Sequence, residues 1–275
     1  MARTRIVALL LLAVFAGGCG VGDAAAASGA RLVLTGSSTV APLAAEIGKR
    51  FEELNPPARV DVQTGGSSRG IADAKSGAAD IGMASRALKD GEEGLTVFPL
   101  ARDGVALIVH ADNPVRELSR DEVTGVFTGR IQRWSELGGP DSEITVVNKA
   151  EGRATLEVFL AHFGLDNREV QADVVIGDNE QGVKTVAGNR SAIGYVSVGT
   201  AELDIALGVP IRLLPAGGVE ASTENVANGT FPIARQLSLL TPGEPSGLAR
   251  EFLTFAQSEE VHDLIAQQGF APIAR

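Results

Sequence analysis

Two hydrophobic periods take turns along this 275-residue chain. Short apolar, β-branched runs lead through Gly- or Ser-rich turns into stretches where apolar positions recur every three or four residues. The first such unit is the clearest. Arg31 to Thr35 predicts a buried strand, and Gly36-Ser-Ser-Thr39 a turn with helix-capping chemistry. Leu43, Ile47, Phe51 and Leu54 then fall at helical spacing. Arg59 to Gln63 predicts a second strand, Gly65 to Gly70 a turn, and Ile71 to Ser76 a helix. Asp80 to Ala84 predicts a third strand that ends in Ser85-Arg86. Val97 to Leu100 and Val105 to His110 read as two strand-like runs separated by Ala101 to Gly104.

Asn113-Pro114 breaks the pattern and is the expected crossing into a second lobe. Ser119 to Phe127 predicts a helix, with Ser119 as N-cap and Glu122 completing a capping box. Ile144 to Val147 predicts a strand, and Glu151-Gly-Arg-Ala-Thr155 leads into a helix over Leu156 to Phe163. A strand at Val174 to Ile176, a helix at Gln181 to Ala187 and a strand at Ala192 to Val196 follow. Ile211 to Leu214 is read as the strand that returns the chain to the first lobe. Pro215 to Phe231 is loop-rich, Leu237 to Leu240 predicts a strand, and helices over Gly247 to Phe255 and Glu259 to Gln267 close the chain. The expected fold is α/β with two lobes, each a mixed sheet flanked by helices, and a cleft between them. Residues 31–112 and 211–275 form lobe 1 in this reading, and residues 113–210 form lobe 2.

Composition sharpens the picture. Apolar residues make up 44 % of the chain, aromatics only 4 %, and glycines number 33, which suits tight βα turns rather than an all-β fold. The formal charge of −10 argues against nucleic acid as a partner. An anion would have to be held by local groups against the overall field. Arg3 and Arg5, the apolar run Ile6 to Phe15 and the small residues Ala16-Gly-Gly18 have the form of a signal peptide over residues 1–18. Cys19 follows directly, and residues 19–30 read as a small, polar tether. Cys19 is the only cysteine, so no internal disulfide can form. Its placement resembles a bacterial lipobox, with Ala16 at the place usually held by Leu. Removal of the leader would leave 22 basic side chains against 34 acidic, a net of −12.

Three turns share one plan of strand, small or hydroxyl residues, and helix: Gly36 to Thr39, Gly65 to Gly70, and Glu151 to Thr155. Such turns aim backbone N–H groups and hydroxyls at one spot, where a helix start also favours negative charge. Cations stand in or beside them: Arg69, Arg86, Lys149 and Arg153. Arg offers a planar fork to an oxyanion, and Lys a point charge. Catalytic signatures are missing. Tyr195-Val-Ser-Val-Gly199 fails the nucleophile-elbow pattern at its first residue, and Gly36 to Thr39 lacks the Lys-Ser/Thr ending of a P-loop. His110, His162 and His262 show no metal-ligand spacing. A binding protein without cofactor or metal is expected rather than an enzyme.

The runs Gly36-Ser-Ser-Thr-Val-Ala-Pro42, Gly65-Gly-Ser-Ser-Arg-Gly70, Ala79-Asp-Ile-Gly-Met-Ala-Ser-Arg86 and Ala192-Ile-Gly-Tyr-Val-Ser197 resemble the periplasmic phosphate-binding proteins of bacterial ABC importers, the PstS type. The resemblance spans roughly Leu32 to Ile273. It implies a type II Venus-flytrap fold, one buried tetrahedral oxyanion, and delivery of inorganic phosphate to an ABC permease in the inner membrane. It also implies a monomer in the periplasm, touching the membrane only through a lipid on Cys19. Ser38, Thr39, Ser67 and Thr155, with the N–H groups of Arg153 and Ala154, match the family's anion-holding positions. Three positions depart from the pattern. Arg86 stands where relatives carry an Asp that accepts a hydrogen bond from protonated phosphate. Lys149 replaces an Arg fork. Gly152-Arg-Ala-Thr155 replaces Gly-Ser-Gly-Thr, so that Arg153 can supply the displaced cation. A carboxylate accepts from a protonated oxyanion and repels one without a proton. Asp103 is the candidate replacement, the alternative being a cap on its own turn before Gly104. The expected site is therefore Ser38, Thr39, Ser67, Arg86, Asp103, Lys149, Arg153, Ala154 and Thr155. Sulfate, molybdate, or a sensing role on the same fold remain open at this stage.

Overall fold

Each strand–turn–helix unit places its turn at the carboxyl end of a parallel strand. A computed structural model describes residues 31–273. The expected signal segment, Cys19 and the tether lie outside the described residues. Strands β1 (Arg31–Gly36), β2 (Arg59–Thr64) and β3 (Ile81–Ala84) run parallel, with β1 in the middle. Helix α1 (Ala41–Leu54) connects β1 to β2 and buries Leu43, Ile47 and Phe51 as their spacing predicts. Helix α2 (Ser67–Ser76) connects β2 to β3 and starts four residues earlier than Ile71, so Ser67 and Ser68 belong to its first turn. Gly66, with φ of +95°, turns the backbone into it. Gly70 lets α2 press on the end of β1, since a Cβ there would stand 2.7 Å from the Gly36 Cα.

Strand β4 (Thr96–His110) changes the expected layout. The two runs read as separate strands are one, and Ala101 to Gly104 is not a turn. Its first part pairs antiparallel with β9 (Ala234–Thr241) as far as Gly104, and also with the short β10 (Ala271–Pro272). From Val105 it pairs with β7 (Ala192–Ser197), and from Ile108 also with β8 (Ile211–Leu213). The chain thus passes between halves inside β4, at Gly104 and Val105, rather than at Asn113-Pro114. Strand β8 stays with the second half, so the return lies between Leu213 and Ala234 rather than at Ile211.

The second half repeats the scheme. Strands β5 (Thr145–Lys149) and β6 (Val174–Ile176) run parallel to each other and to β7. The strand order is β2-β1-β3-β9-β4-β7-β5-β6. Helices α3 (Arg120–Phe127), α4 (Ala154–Phe163), α5 (Asn179–Ala187) and α6 (Val198–Ala206) cover this half, and α3 carries the predicted Ser119–Glu122 capping box. The short α7 (Thr223–Ala227) and the terminal helices α8 (Gly247–Ala256) and α9 (His262–Gln267) complete the chain. Each half has its own core. Leu34, Leu43, Ile47, Phe51, Leu239 and Phe252 centre the first. Phe127, Trp134, Phe159 and Tyr195 centre the second, with the Phe159 and Tyr195 rings stacked at 4.0 Å. Burying one such side chain contributes about 1.5–3 kcal/mol. These two cores hold the strand ends, and hence the turns, in fixed positions. Among the described residues no helix is long and apolar enough to cross a membrane.

Candidate anion-binding site

Ligands of open α/β sheets sit outside the carboxyl ends of the strands. Here the ends of β1, β2 and β3 face those of β5 and β6 across one small cavity. The first half lines it with Ser37, Ser38, Thr39, Gly66, Ser67 and Ser85. The second half contributes Lys149, Arg153, Ala154, Thr155, Gly177, Asp178 and Asn179. Of the nine expected residues, seven are on this lining: Ser38, Thr39, Ser67, Lys149, Arg153, Ala154 and Thr155. Arg86 and Asp103 are not.

The first half supplies neutral donors. Ser37 caps the turn that leads into α1, its Oγ accepting the N–H groups of Thr39 at 3.2 Å and Val40 at 3.3 Å. The hydrogen of Ser37 then goes to Ser85 Oγ at 3.0 Å. Capping by Ser37 leaves Ser38 and Thr39 free to face the cavity. Ser67 Oγ accepts the Ser85 N–H at 3.0 Å, which ties the start of α2 to the end of β3.

The second half supplies charge and helix starts. Arg153 is the N-cap residue of α4, and Ala154 and Thr155 form its first turn. The side chain of Arg153 spans the cavity and donates to Ser38 Oγ at 3.4 Å. It has no carboxylate partner among the described residues. Lys149, only 2 % exposed, ends β5. Its Nζ donates to the Asp178 carbonyl at 2.8 Å and to Asn179 Oδ1 at 3.1 Å. Burial chiefly, then the nearby Arg235 and Arg153, pull its pKa down to about 7 against an opposing pull from Asp178. Asp178 caps α5 through Oδ1, which accepts the Gln181 N–H at 2.9 Å.

Beneath the cavity lies a residue the sequence reading missed. Arg235, on β9, is directly opposite Asp103 on β4. Its Nε and Nη2 donate to Asp103 Oδ2 at 3.0 and 2.7 Å. The same guanidinium donates to Thr155 Oγ1 at 2.9 Å, Thr39 Oγ1 at 3.3 Å and Ser85 Oγ at 3.5 Å. Asp103 is therefore neither a free acceptor nor a turn cap. One of its oxygens is spent on Arg235, and the other accepts the Ser197 hydroxyl at 2.8 Å. It orients Arg235.

Arg86 also departs from expectation. Its guanidinium turns to the rim, making two bonds to Glu92 at 2.6 and 2.8 Å and an ion pair with Glu157 on α4. Lys89 joins Glu157 at 2.8 Å. Two carboxylates outcompete any role at the cavity. Arg69 is likewise engaged, by Asp73 at 3.2 Å. Glu157 stands on α4 in the second half and Arg86 follows β3 in the first, so this pair bridges the halves. The Asn179 Nδ2 bond to Thr39 Oγ1 at 3.3 Å bridges them at the cavity, and the Ser68 N–H bond to the Gly152 carbonyl at 3.3 Å bridges them beside it.

The missed residues, on the lining and beneath it, have different signals. Ser37 and Ser85 lie inside quoted motifs as neighbours of predicted ligands. Gly177-Asp-Asn179 repeats the strand–turn–helix plan after β6, with Asp178 as a capping residue. Arg235 carries a period-2 signal: Ile233, Arg235, Leu237 and Leu239 are buried, while Ala234 and Gln236 are exposed.

With this geometry fixed, comparison with known proteins is specific. A family model described as a PBP superfamily domain matches residues 22–260. The phosphate-binding protein PstS of Bacillus subtilis (strain 168) is 33 % identical over 294 residues, covering 99 % of this chain and 95 % of that protein. A putative phosphate ABC transporter substrate-binding protein from Clostridium perfringens, solved with bound phosphate, superposes with a TM-score of 0.82 at 31 % identity, over 89 % of this chain and all of that one. An ABC-type phosphate transport receptor from Vibrio cholerae gives 0.74 at 29 % identity, over 88 % of this chain and all of that one.

Proposed function

This chain belongs to the PBP superfamily and, within it, to the PstS family of phosphate-binding proteins, and on that premise we propose that it captures inorganic phosphate between its halves for an ABC importer. One observation carries the choice of ligand class. A hydroxyl has one hydrogen and two lone pairs. Thr39 Oγ1 accepts from both Arg235 and Asn179, so its lone pairs are used and its hydrogen is left to donate. Ser85 Oγ also accepts from Ser37 and Arg235, and its own hydrogen is in reach of Ser67 Oγ at 3.4 Å. An Arg never accepts, so Arg235 turns the hydroxyls above it into donors. The N–H groups of Ala154 and Thr155 and the cations Lys149 and Arg153 complete a shell suited to a tetrahedral oxyanion.

Ser38, Thr39, Ser67 and Thr155 are the hydroxyl ligands in this reading, and Arg153 and Lys149 the charged ones. Asp103 and Arg235 act from behind. The Arg86–Glu157 pair holds the rim of the closed cleft. Delivery to a membrane permease, action as a monomer and anchoring through a lipid on Cys19 complete the proposal. They rest on the family and on the form of the leader. The family binds its ligand rather than transforming it.

Calorimetry on protein without its leader tests the ligand, with phosphate, arsenate, sulfate and molybdate as the panel. Micromolar or tighter binding of phosphate and arsenate, with sulfate and molybdate far weaker, is the expected result. Tight sulfate or molybdate with only millimolar phosphate would overturn the assignment.

A further inference from the structure

Lys149 is placed unlike any other cation among the described residues. It is almost fully buried, and both groups that hold its Nζ are uncharged, the Asp178 carbonyl and the Asn179 side-chain oxygen. The charged groups around it come from every packed element. Arg235 faces it from β9 and Arg153 from the start of α4, and both disfavour a positive charge. The Asp178 carboxylate at the start of α5 favours one. It is already engaged by the Gln181 N–H. Asp103 on β4 is consumed by Arg235. Tyr195 on β7 accepts the Lys149 main-chain N–H and donates to Asn148 Oδ1, and burial holds that phenol protonated and neutral. An ammonium in the empty cavity would be a buried charge beside two guanidinium groups, which is costly. A neutral amine has two hydrogens, and the site offers it two acceptors.

Resting on the phosphate reading above, we propose that Lys149 couples anion capture to protonation: it is neutral in the empty site and becomes an ammonium when the oxyanion enters. The proton arrives in one of two ways. Solvent supplies it when the dianion binds, or the monoanion hands its own proton to Nζ. The lone pair of Nζ takes the proton, and the new N–H points at an anion oxygen. Either way the complex holds one proton more than free protein plus phosphate dianion. The anion that enters brings the counter-charge that the empty site lacks. The depressed pKa of the free protein agrees with this placement.

Calorimetry in buffers of differing ionisation enthalpy tests it at about pH 8.5, where an amine of pKa about 7 is mostly neutral and free phosphate is mostly dianion. The slope of apparent enthalpy against buffer enthalpy counts protons. Wild type should take up about one proton per phosphate, by linkage. Lys149→Arg, which cannot lose its charge, should still bind but take up almost none. Asp178→Asn should keep the uptake. No uptake by wild type, an unchanged uptake in Lys149→Arg, or its loss in Asp178→Asn would each overturn the proposal. The ¹³Cε signal of Lys149 in wild-type protein gives an answer that needs no variant. It should titrate near neutrality without phosphate and at least two pH units higher with it. An alkaline titration in the free protein would refute the idea. Absence of phosphate binding would remove the reading under Proposed function, while the free-protein titration would still decide whether Lys149 is neutral.

Discussion

Arg86 and Arg235 are equally hidden, 7 % and 6 % exposed, and both sit beside the cleft. Their roles differ because their partners differ. A guanidinium has five N–H donors. At the rim Glu92 takes two of those of Arg86, the Ala87 carbonyl and Ser68 Oγ take two more, and Nε pairs with Glu157, so nothing is left for a ligand. At the floor a single carboxylate, Asp103, takes Nε and Nη2 of Arg235 and leaves Nη1 to the hydroxyls of Thr155 and Ser85. The two regions teach the same rule from opposite sides. The number of carboxylates around a buried Arg, rather than the Arg itself, sets whether it clamps two pieces of protein or prepares a binding surface.

Substitutions can break that contrast. The largest effect is expected for Arg235→Ala. It leaves Asp103 as a buried charge without a partner, which costs about 3–5 kcal/mol of stability. It also releases the hydroxyls of Thr39 and Thr155, so phosphate affinity should fall at least about 100-fold, as for loss of one or two charge-assisted bonds. Thermal unfolding and calorimetry read the two effects. A stable Arg235→Ala protein with unchanged affinity would remove Arg235 from the account. Arg153→Ala comes next. Arg153 has no carboxylate to orphan, so the melting temperature should hold while binding weakens by about 1.5–3 kcal/mol. Unchanged affinity would make Arg153 a bystander. Arg86→Ala is the smallest. It opens the rim, and phosphate should leave faster in stopped-flow release. The affinity should fall by less than about tenfold, since Arg86 is off the cavity lining and its partners Glu92 and Glu157 stay in reach of water. A loss as large as that of Arg235→Ala would return Arg86 to the anion.

Local chemistry was legible in the sequence and distant pairing was not. The strand–turn–helix turns could be read within a few residues, and the family resemblance then singled out Ser38, Thr39, Ser67 and Thr155 inside them. The Ser119–Glu122 capping box and the buried face of α1 are local in the same sense. Asp103 and Arg235 are 132 residues apart in sequence and adjacent in space. Each alone looks like a polar interruption. For that reason β4 read as two strands, and β9 read as starting at Leu237 rather than Ala234. Together they neutralise each other and continue the strands through the passage between halves. Arg86 misled for the converse reason: its position in the motif is local, but Glu157, which helps hold it at the rim, is 71 residues further along the chain.

A crystal structure of the phosphate-loaded protein shows directly which groups hold the anion. One anion is expected within hydrogen-bond reach of Ser38, Thr39, Ser67 and Thr155, touched by Arg153 and Lys149, with Arg86 still on Glu92 and Arg235 still on Asp103. An anion held by the Arg86 guanidinium, or seated away from the starts of α1, α2 and α4, would contradict it.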